Sequence, residues 1–388
     1  MRQVRRARQR VKHVASAPRG GEGAVGSRPV RGLCYGRPPM PFSELIGQDR
    51  ALATLRLALG RGTFHHAYLF GGPVGVGKGT AARLLAQAAN CQEVGTHTLE
   101  PEACGSCPSC RKIAHGTHPD VILLSQERTM AKAGLWEPRG GRVPSKDIVV
   151  DQVRDLLYRR LAMKRFEGRR RFVIIDPADA MNHQAQNALL KTLEEPPPDT
   201  TLLLIAASPD LLIPTVRSRC ARVAFVPLPD EVLVARLSRE GRSPEEARVT
   251  AALAAGSLGR ALALGAKELV AREQAVETVA GLTQEDAAGY VAFARDQGQN
   301  REAAREACEL VSVWLRDVLA TQAAGEAAPL ALSDLAARTR TAASSLRPIE
   351  TLRRLECVRE ALAALEQNAA PVLALERMLI GWFHGELR

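Results

Sequence analysis

No stretch of the 388 residues approaches eighteen consecutive apolar side chains, so the sequence holds no candidate transmembrane helix. The N-terminus carries no apolar h-region, which argues against secretion. Eight cysteines in a chain of this length, with no such leader, do not suggest a disulfide framework. Net charge is small too over most of the chain, once it is located. The net charge is +11, but residues 1–40 hold ten Lys or Arg against the single acid Glu22. That segment carries +9 and leaves +2 for residues 41–388, so the body of the chain is not strongly basic.

Residues 1–40 are also rich in Gly, Pro and Ser and poor in large apolar side chains, so they are expected to be disordered. Two readings stand: a basic arm that binds DNA, or a translation start placed too early. Met40-Pro41-Phe42 opens directly onto organised sequence, which favours the second. The length allows two or three domains, each able to bury its own core.

From residue 41 to about 225, short apolar runs alternate with helical stretches, the signature of a parallel α/β sheet. The runs are Tyr68–Phe70, Val121–Leu124, Phe172–Ile175, Leu202–Ala206 and Arg222–Phe225. Each is short and continuous, as strands buried on both faces are. Residues 125–146, rich in Gly, Arg and Lys, read as an exposed loop. Pro227 and Pro229 mark a boundary, and only helical patterns follow. Ala307, Leu310, Val311, Trp314, Leu315 and Val318 recur at helical spacing, as do Leu352, Leu355, Val358, Leu362 and Leu365.

Residues 72–80 read Gly-Pro-Val-Gly-Val-Gly-Lys-Gly-Thr, a phosphate-binding loop of the G-x-x-x-x-G-K-[ST] type with one defect. Its glycines let backbone N–H groups close on phosphate oxygens, Lys78 reaches the β/γ-phosphates, and the next residue should offer a hydroxyl to Mg²⁺. That position is Gly79, and Thr80 comes one residue late. The Phe172–Ile175 strand ends in Asp176, placed as the Mg²⁺-holding carboxylate of a nucleotide hydrolase. A water-activating Glu is expected next, and Pro177 stands there instead. Asp179 lies too far along to replace it without pointing back. Cys91, Cys104, Cys107 and Cys110 supply four soft ligands suited to a closed tetrahedral structural zinc. A redox C-x-x-C pair and cysteines that merely pack are the competing readings. Ser218-Arg219-Cys220 follows a strand and a short helical turn. An Arg there can project toward a neighbour's phosphates, or it can be a surface charge paired with a nearby acid.

Together these residues resemble the delta-prime family of bacterial clamp-loader subunits of DNA polymerase III, within the AAA+ class. The likeness runs from Pro41 to about Pro227 and more weakly to the end. It rests on Phe42-Ser43-Glu44-Leu45-Ile46-Gly47-Gln48, the phosphate loop, the four-cysteine insertion and His118-Pro119-Asp120. Most specific is Asn187-Ala188-Leu189-Leu190-Lys191-Thr192-Leu193-Glu194-Glu195-Pro196-Pro197. Ser218-Arg219-Cys220 is similar to the family's arginine-finger motif, and Gly256-Ser257-Leu258-Gly259-Arg260-Ala261 to its second sensor region. Asn368, Pro371 and Leu375-Glu376 resemble the collar helices.

The resemblance implies a P-loop AAA+ domain over 41–227, with a zinc module at about 91–110. It implies a helical lid over 228–265 and a helical collar for oligomerisation over 266–388. It places a degenerate nucleotide site on Gly72, Gly75, Gly77, Lys78, Gly79, Thr80, Asp176 and Arg260. ATP or ADP binding is expected to be weak or absent, with Mg²⁺ poorly provided for. Arg219 is implied as a finger acting in trans. The tau/gamma motors of the class would carry a hydroxyl at position 79, a Glu at 177 and a sensor threonine near Ala207; all three are missing here. The expectation is a non-hydrolysing subunit of the polymerase holoenzyme, itself neither polymerase nor efficient ATPase. An active tau/gamma-like ATPase and an unrelated P-loop nucleotide enzyme are the alternatives. Implied partners are tau/gamma and delta, with the sliding clamp and primed DNA reached through the complex and no membrane. The implied location is the cytoplasm, at the nucleoid-associated replisome.

Overall fold

The computed structural model describes residue 42, residues 45–93 and residues 102–384. The basic segment 1–40, with both readings of it, lies outside these, as do residues 43–44 of the opening motif.

Helix α1 (Asp49–Arg61) leads into β1 (Ala67–Gly71), the phosphate loop and α2 (Lys78–Asn90). Helix α3 (Pro108–Ala114) and β2 (Val121–Leu124) follow, then α4 (Glu127–Lys132). Residues 150–161 make one continuous helical segment: α5 (Val150–Gln152), a π-helical stretch (Val153–Tyr158) and α6 (Arg159–Leu161). Next come β3 (Arg171–Ile175), α7 (His183–Glu194), β4 (Thr200–Ala206), α8 (Pro214–Arg217) and β5 (Ala221–Ala224). The five strands are parallel, in the order β2-β3-β4-β1-β5. This is the parallel α/β sheet expected from the sequence, and the expected strands differ from the observed ones only at their ends.

Strand periodicity sorts the side chains into two layers. Tyr68, Phe70, Phe172, Ile174, Leu203, Ile205 and Val223 face one side and pack with α1 and α2. Leu69, Val173, Ile175, Leu202 and Leu204 face the other and pack with Val153, Leu157, Leu189 and Leu193. Burying a side chain of this size is worth about 1.5–3 kcal/mol, so a one-residue slip of any strand would invert both layers at once.

The stretch 125–146 departs from expectation. It contains α4, and Glu127 within it is fully buried. Arg142 donates to Glu127 through both Nη atoms at 2.7 Å, the Ser145 amide at 2.7 Å and Trp136 Nε1 at 3.1 Å. Burial alone would raise the Glu127 pKa, but these donors outweigh it and hold the carboxyl below the ordinary glutamate value. One buried carboxylate therefore folds the loop on itself. Its contribution is present above the unfolded glutamate pKa and fades as pH falls through the lower folded value. Glu127→Ala is expected to weaken local closure by about 2 kcal/mol, read as roughly 30-fold faster amide exchange over residues 127–147 at neutral pH. Unchanged exchange would show that the clip does not order the loop.

After the sheet, α9 (Asp230–Arg239), α10 (Pro244–Ala254) and α11 (Leu258–Ala263) enclose a small core around Leu228, Leu233, Leu237, Ala251 and Ala261. The rest is helical: α12 (Ala266–Gly281), α13 (Ala287–Gln297), α14 (Arg301–Ala324), α15 (Ala336–Ser345), α16 (Pro348–Glu366) and α17 (Pro371–His384). Helix α10 is two-faced, and its Val249 and Leu253 join the last core. The expected α14 stripe from Ala307 to Val318 is buried there with Trp382. The α16 stripe is shorter than expected: Val358 and Leu365 are buried, whereas Leu352 is exposed.

Candidate functional site

Parallel strands deliver their C-terminal ends to one edge of the sheet, and the loop 72–77 sits there between β1 and α2. Gly72 and Gly75 take φ values of 146° and 79°, which side chains rarely adopt. A Cβ at Gly72 would lie 2.1 Å from the Phe225 carbonyl oxygen, and one at Gly75 would lie 2.1 Å from Ser257 Oγ. The loop is thus gripped on one side by the end of β5 and on the other by the turn before α11. Helix α2 starts at Lys78 with no side-chain cap, so its first-turn amides keep the anion-binding character of a helix N-terminus.

The polar groups of this loop are paired within the protein. Lys78 is buried, and its Nζ donates to the carbonyls of Gly72 and Pro73. Burial pushes its pKa down, against the attraction of Asp176 and Asp179. The Gly259 amide donates to the Gly75 carbonyl at 2.9 Å. Asp176, just past β3, faces the start of α2: a Cβ at Gly79 would stand 3.0 Å from its Oδ2. Burial raises the Asp176 pKa, opposed by Lys78 and Arg83. The Thr80 hydroxyl accepts from Arg83 at 3.4 Å, one helical turn along. Gly72, Gly75, Gly77, Lys78, Gly79 and Asp176 are therefore brought together, with the Asp176 carboxylate so close to Gly79 that a side chain there would require it to shift.

Asp179, given little weight on sequence, has a definite job. Its Oδ2 accepts the amides of Ala207 and Ser208, each at 2.8 Å, and so holds the turn that leaves β4. Pairing across some thirty residues leaves no trace in a local pattern.

Cys91 closes α2, and Cys107 caps α3. The four sulfurs of Cys91, Cys104, Cys107 and Cys110 lie within 4.8 Å of one another. Backbone amides point at three of them: Cys104 N to Cys91 Sγ at 3.3 Å, Cys107 N to Cys104 Sγ at 3.3 Å and Cys110 N to Cys107 Sγ at 3.4 Å. Amides aimed at sulfur favour the thiolate form, while burial pushes the Cys91 and Cys110 thiols up. Four thiols this close cannot all ionise unaided, and a soft divalent cation removes the conflict. The donor set fits zinc. Gln87 Nε2, which donates to the Cys110 carbonyl at 3.0 Å, fastens the cluster to α2.

Arg219 lies away from the loop. It precedes β5, whose first residue pairs with Tyr68, and so it sits at the opposite edge of the sheet. A five-residue strand spans roughly 15 Å, so this arginine does not serve its own loop. Its Nη2 donates to Glu194 Oε1 at 2.7 Å and its Nη1 to the Thr215 carbonyl at 3.0 Å. Both members of the ion pair are solvent-accessible, at 36% and 51% of their side-chain surface. Arg260, on α11, stands next to the loop through its backbone but sends its guanidinium to Glu309 of α14. Neither acid partner was visible beforehand. Glu194 lies 25 residues from Arg219, and Glu309 lies 49 residues from Arg260.

Known proteins bear on these arrangements. The family model described as DNA polymerase III, delta subunit, matches residues 47–229. The DNA polymerase III subunit delta' of Pseudomonas aeruginosa is 39% identical over 170 residues, 44% of this chain and 45% of that protein. The subunit tau of Escherichia coli is 32% identical over 249 residues, 62% of this chain and 35% of that protein. The chain thus spans less than half the length of either relative. Among solved structures, a DNA polymerase III gamma subunit-related protein of Thermotoga maritima is 19% identical, with a TM-score of 0.35, covering 86% of this chain and 98% of its own.

Proposed function

We propose that the chain, whose residues 47–229 match the family model described as DNA polymerase III, delta subunit, is the delta-prime-type member of a DNA polymerase III clamp-loader complex. One observation carries the reading. The phosphate loop keeps its glycines and Lys78, yet the two groups that hydrolysis needs are replaced, by Gly79 facing Asp176 and by Pro177. Mg²⁺ loses a ligand and the attacking water loses its base. What persists is a scaffold that binds nucleotide weakly or not at all. The lid and the helices from α12 onward would join it to tau/gamma and delta, and through them to the sliding clamp and primed DNA. The four cysteines would hold one zinc, whose role is to tie the end of α2 to α3. Arg219, on the sheet edge away from the loop, would reach the nucleotide of an adjacent motor subunit.

The direct test is steady-state turnover of ATP by the isolated chain. It is expected to stay far below the enzyme median of about 10 s⁻¹. Gly79→Thr or Pro177→Glu alone is expected to add little, because metal charge and water positioning act as a unit. Turnover near the median in the unmodified chain would make it a tau/gamma-like ATPase instead.

A further inference from the structure

Three cationic or donor groups border the phosphate loop, and each is engaged inside the protein. Lys78 Nζ is on two carbonyls of its own loop. The Gly259 amide, in the first turn of α11, is on the Gly75 carbonyl. Arg260, one residue on, has its backbone amide capped by Ser257 Oγ at 3.1 Å, which sets the helix start against the loop. Its guanidinium, however, pairs with Glu309.

Glu309 does not depend on Arg260 alone. Its other oxygen accepts from Arg305 Nη1 at 2.8 Å, one turn back on α14. If Arg260 left, the Glu309 carboxylate would still have a cation, so the exchange strands no charge. The Arg260 and Glu309 side chains are each about a quarter exposed, at 26% and 27%, so neither is sealed in place. Glu306 is a second acid near Arg260, its pKa pushed up by burial and drawn down by Arg260 itself. Carboxylates of α14 and a phosphate at the loop therefore present the same chemistry to one planar cation, and an arginine cannot fork onto both.

We propose that Glu309 is a built-in competitor of nucleotide phosphate for Arg260, so that the α11–α14 ion pair keeps the loop in a nucleotide-excluding state. This rests on reading the loop as a nucleotide site, and it assigns that site a regulator in the last helical unit. Binding of a triphosphate draws Arg260 off Glu309 and loosens α11 from α14. By linkage, a partner that pulls Glu309 away raises nucleotide affinity by the same factor.

The test is equilibrium binding of a fluorescent ATP analogue, without Mg²⁺, to full-length protein, with folding checked by circular dichroism. Glu309→Gln is expected to bind about tenfold tighter than the unmodified chain, within the usual range of coupling energies. Glu309→Ala should do the same and guards against an effect peculiar to the amide. In an Arg260→Gln background the Glu309 change should have no effect, since the contested cation is gone. Lys78→Ala added to Glu309→Gln should abolish the gain. If affinity is unchanged, or no binding is seen, in both folded Glu309 variants, the competition is wrong and the ion pair is only structural. If Glu309→Gln tightens binding but Lys78→Ala leaves that gain intact, the competition stands and the anion sits outside the phosphate loop, which overturns the reading of the loop instead.

Discussion

Arg219→Ala, built into a reconstituted clamp-loader complex, is expected to lower ATP hydrolysis at the neighbouring site by roughly 10³–10⁵. The measured loss for the whole assembly will be smaller, because other sites continue to turn over. Three features support the expectation. Arg219 is at the sheet edge opposite its own phosphate loop, so its charge is not spent there. Its acid partner among the described residues, Glu194, is half exposed, and a pair of that kind contributes about 0.2–1 kcal/mol, little enough to yield to a phosphate. The guanidinium is already aimed by the Thr215 carbonyl at the end of a short helix. Arg219→Lys is expected to rescue poorly, since an ammonium lacks the planar two-pronged contact. Assembly, followed by size-exclusion chromatography, should be unaffected by either change. A complex that hydrolyses ATP and loads clamps normally with Arg219→Ala would reduce Arg219 to a surface charge paired with Glu194.

Replacing Cys107 and Cys110 together with serine is expected to take zinc from one per chain to none. Structural zinc sites of this ligand type in small peptides bind with about 10–16 kcal/mol at neutral pH, so two lost thiolates cannot be made good by the remaining pair. The consequence should be local. The cluster is its own small packing unit, formed by three buried cysteines and Ala103, and it meets the sheet layer through α2. Amide exchange over residues 102–114 should rise steeply, while β1, paired on both sides by β4 and β5, stays protected. Chelation of the unmodified protein should produce the same pattern. Elemental analysis that finds no zinc in protein purified anaerobically, or zinc retained in the double serine variant, would make the cluster a set of packed thiols.

The elements legible beforehand are those written in short range. Continuous apolar runs located all five strands, since a strand buried on both faces needs no polar partner in its own sequence. Glycine and lysine spacing located the phosphate loop, and cysteine spacing located a cluster that does converge. The amphipathic stripe of α14 was legible because helical periodicity repeats within a few residues. The misread stretch 125–146 shows the limit. Its Gly, Arg and Lys content describes an exposed loop, and only the folded chain brings Arg142, Ser145 and Trp136 onto the buried Glu127. Sequence by itself determined where the phosphate loop and the end of β3 depart from the hydrolase pattern, with Gly79 where a hydroxyl is expected and Pro177 where a Glu is. Tertiary structure alone decided what the cations do: Lys78 on its own loop, Arg260 on Glu309 and, at the far edge of the sheet, Arg219 on Glu194. Asp179 was likewise committed to the turn after β4. The reason is physical. Periodicity and spacing reflect contacts along one element, whereas the partner of a long flexible cation is set by which distant elements pack beside it, and that is decided only when the sheet order and the helix packing are in place.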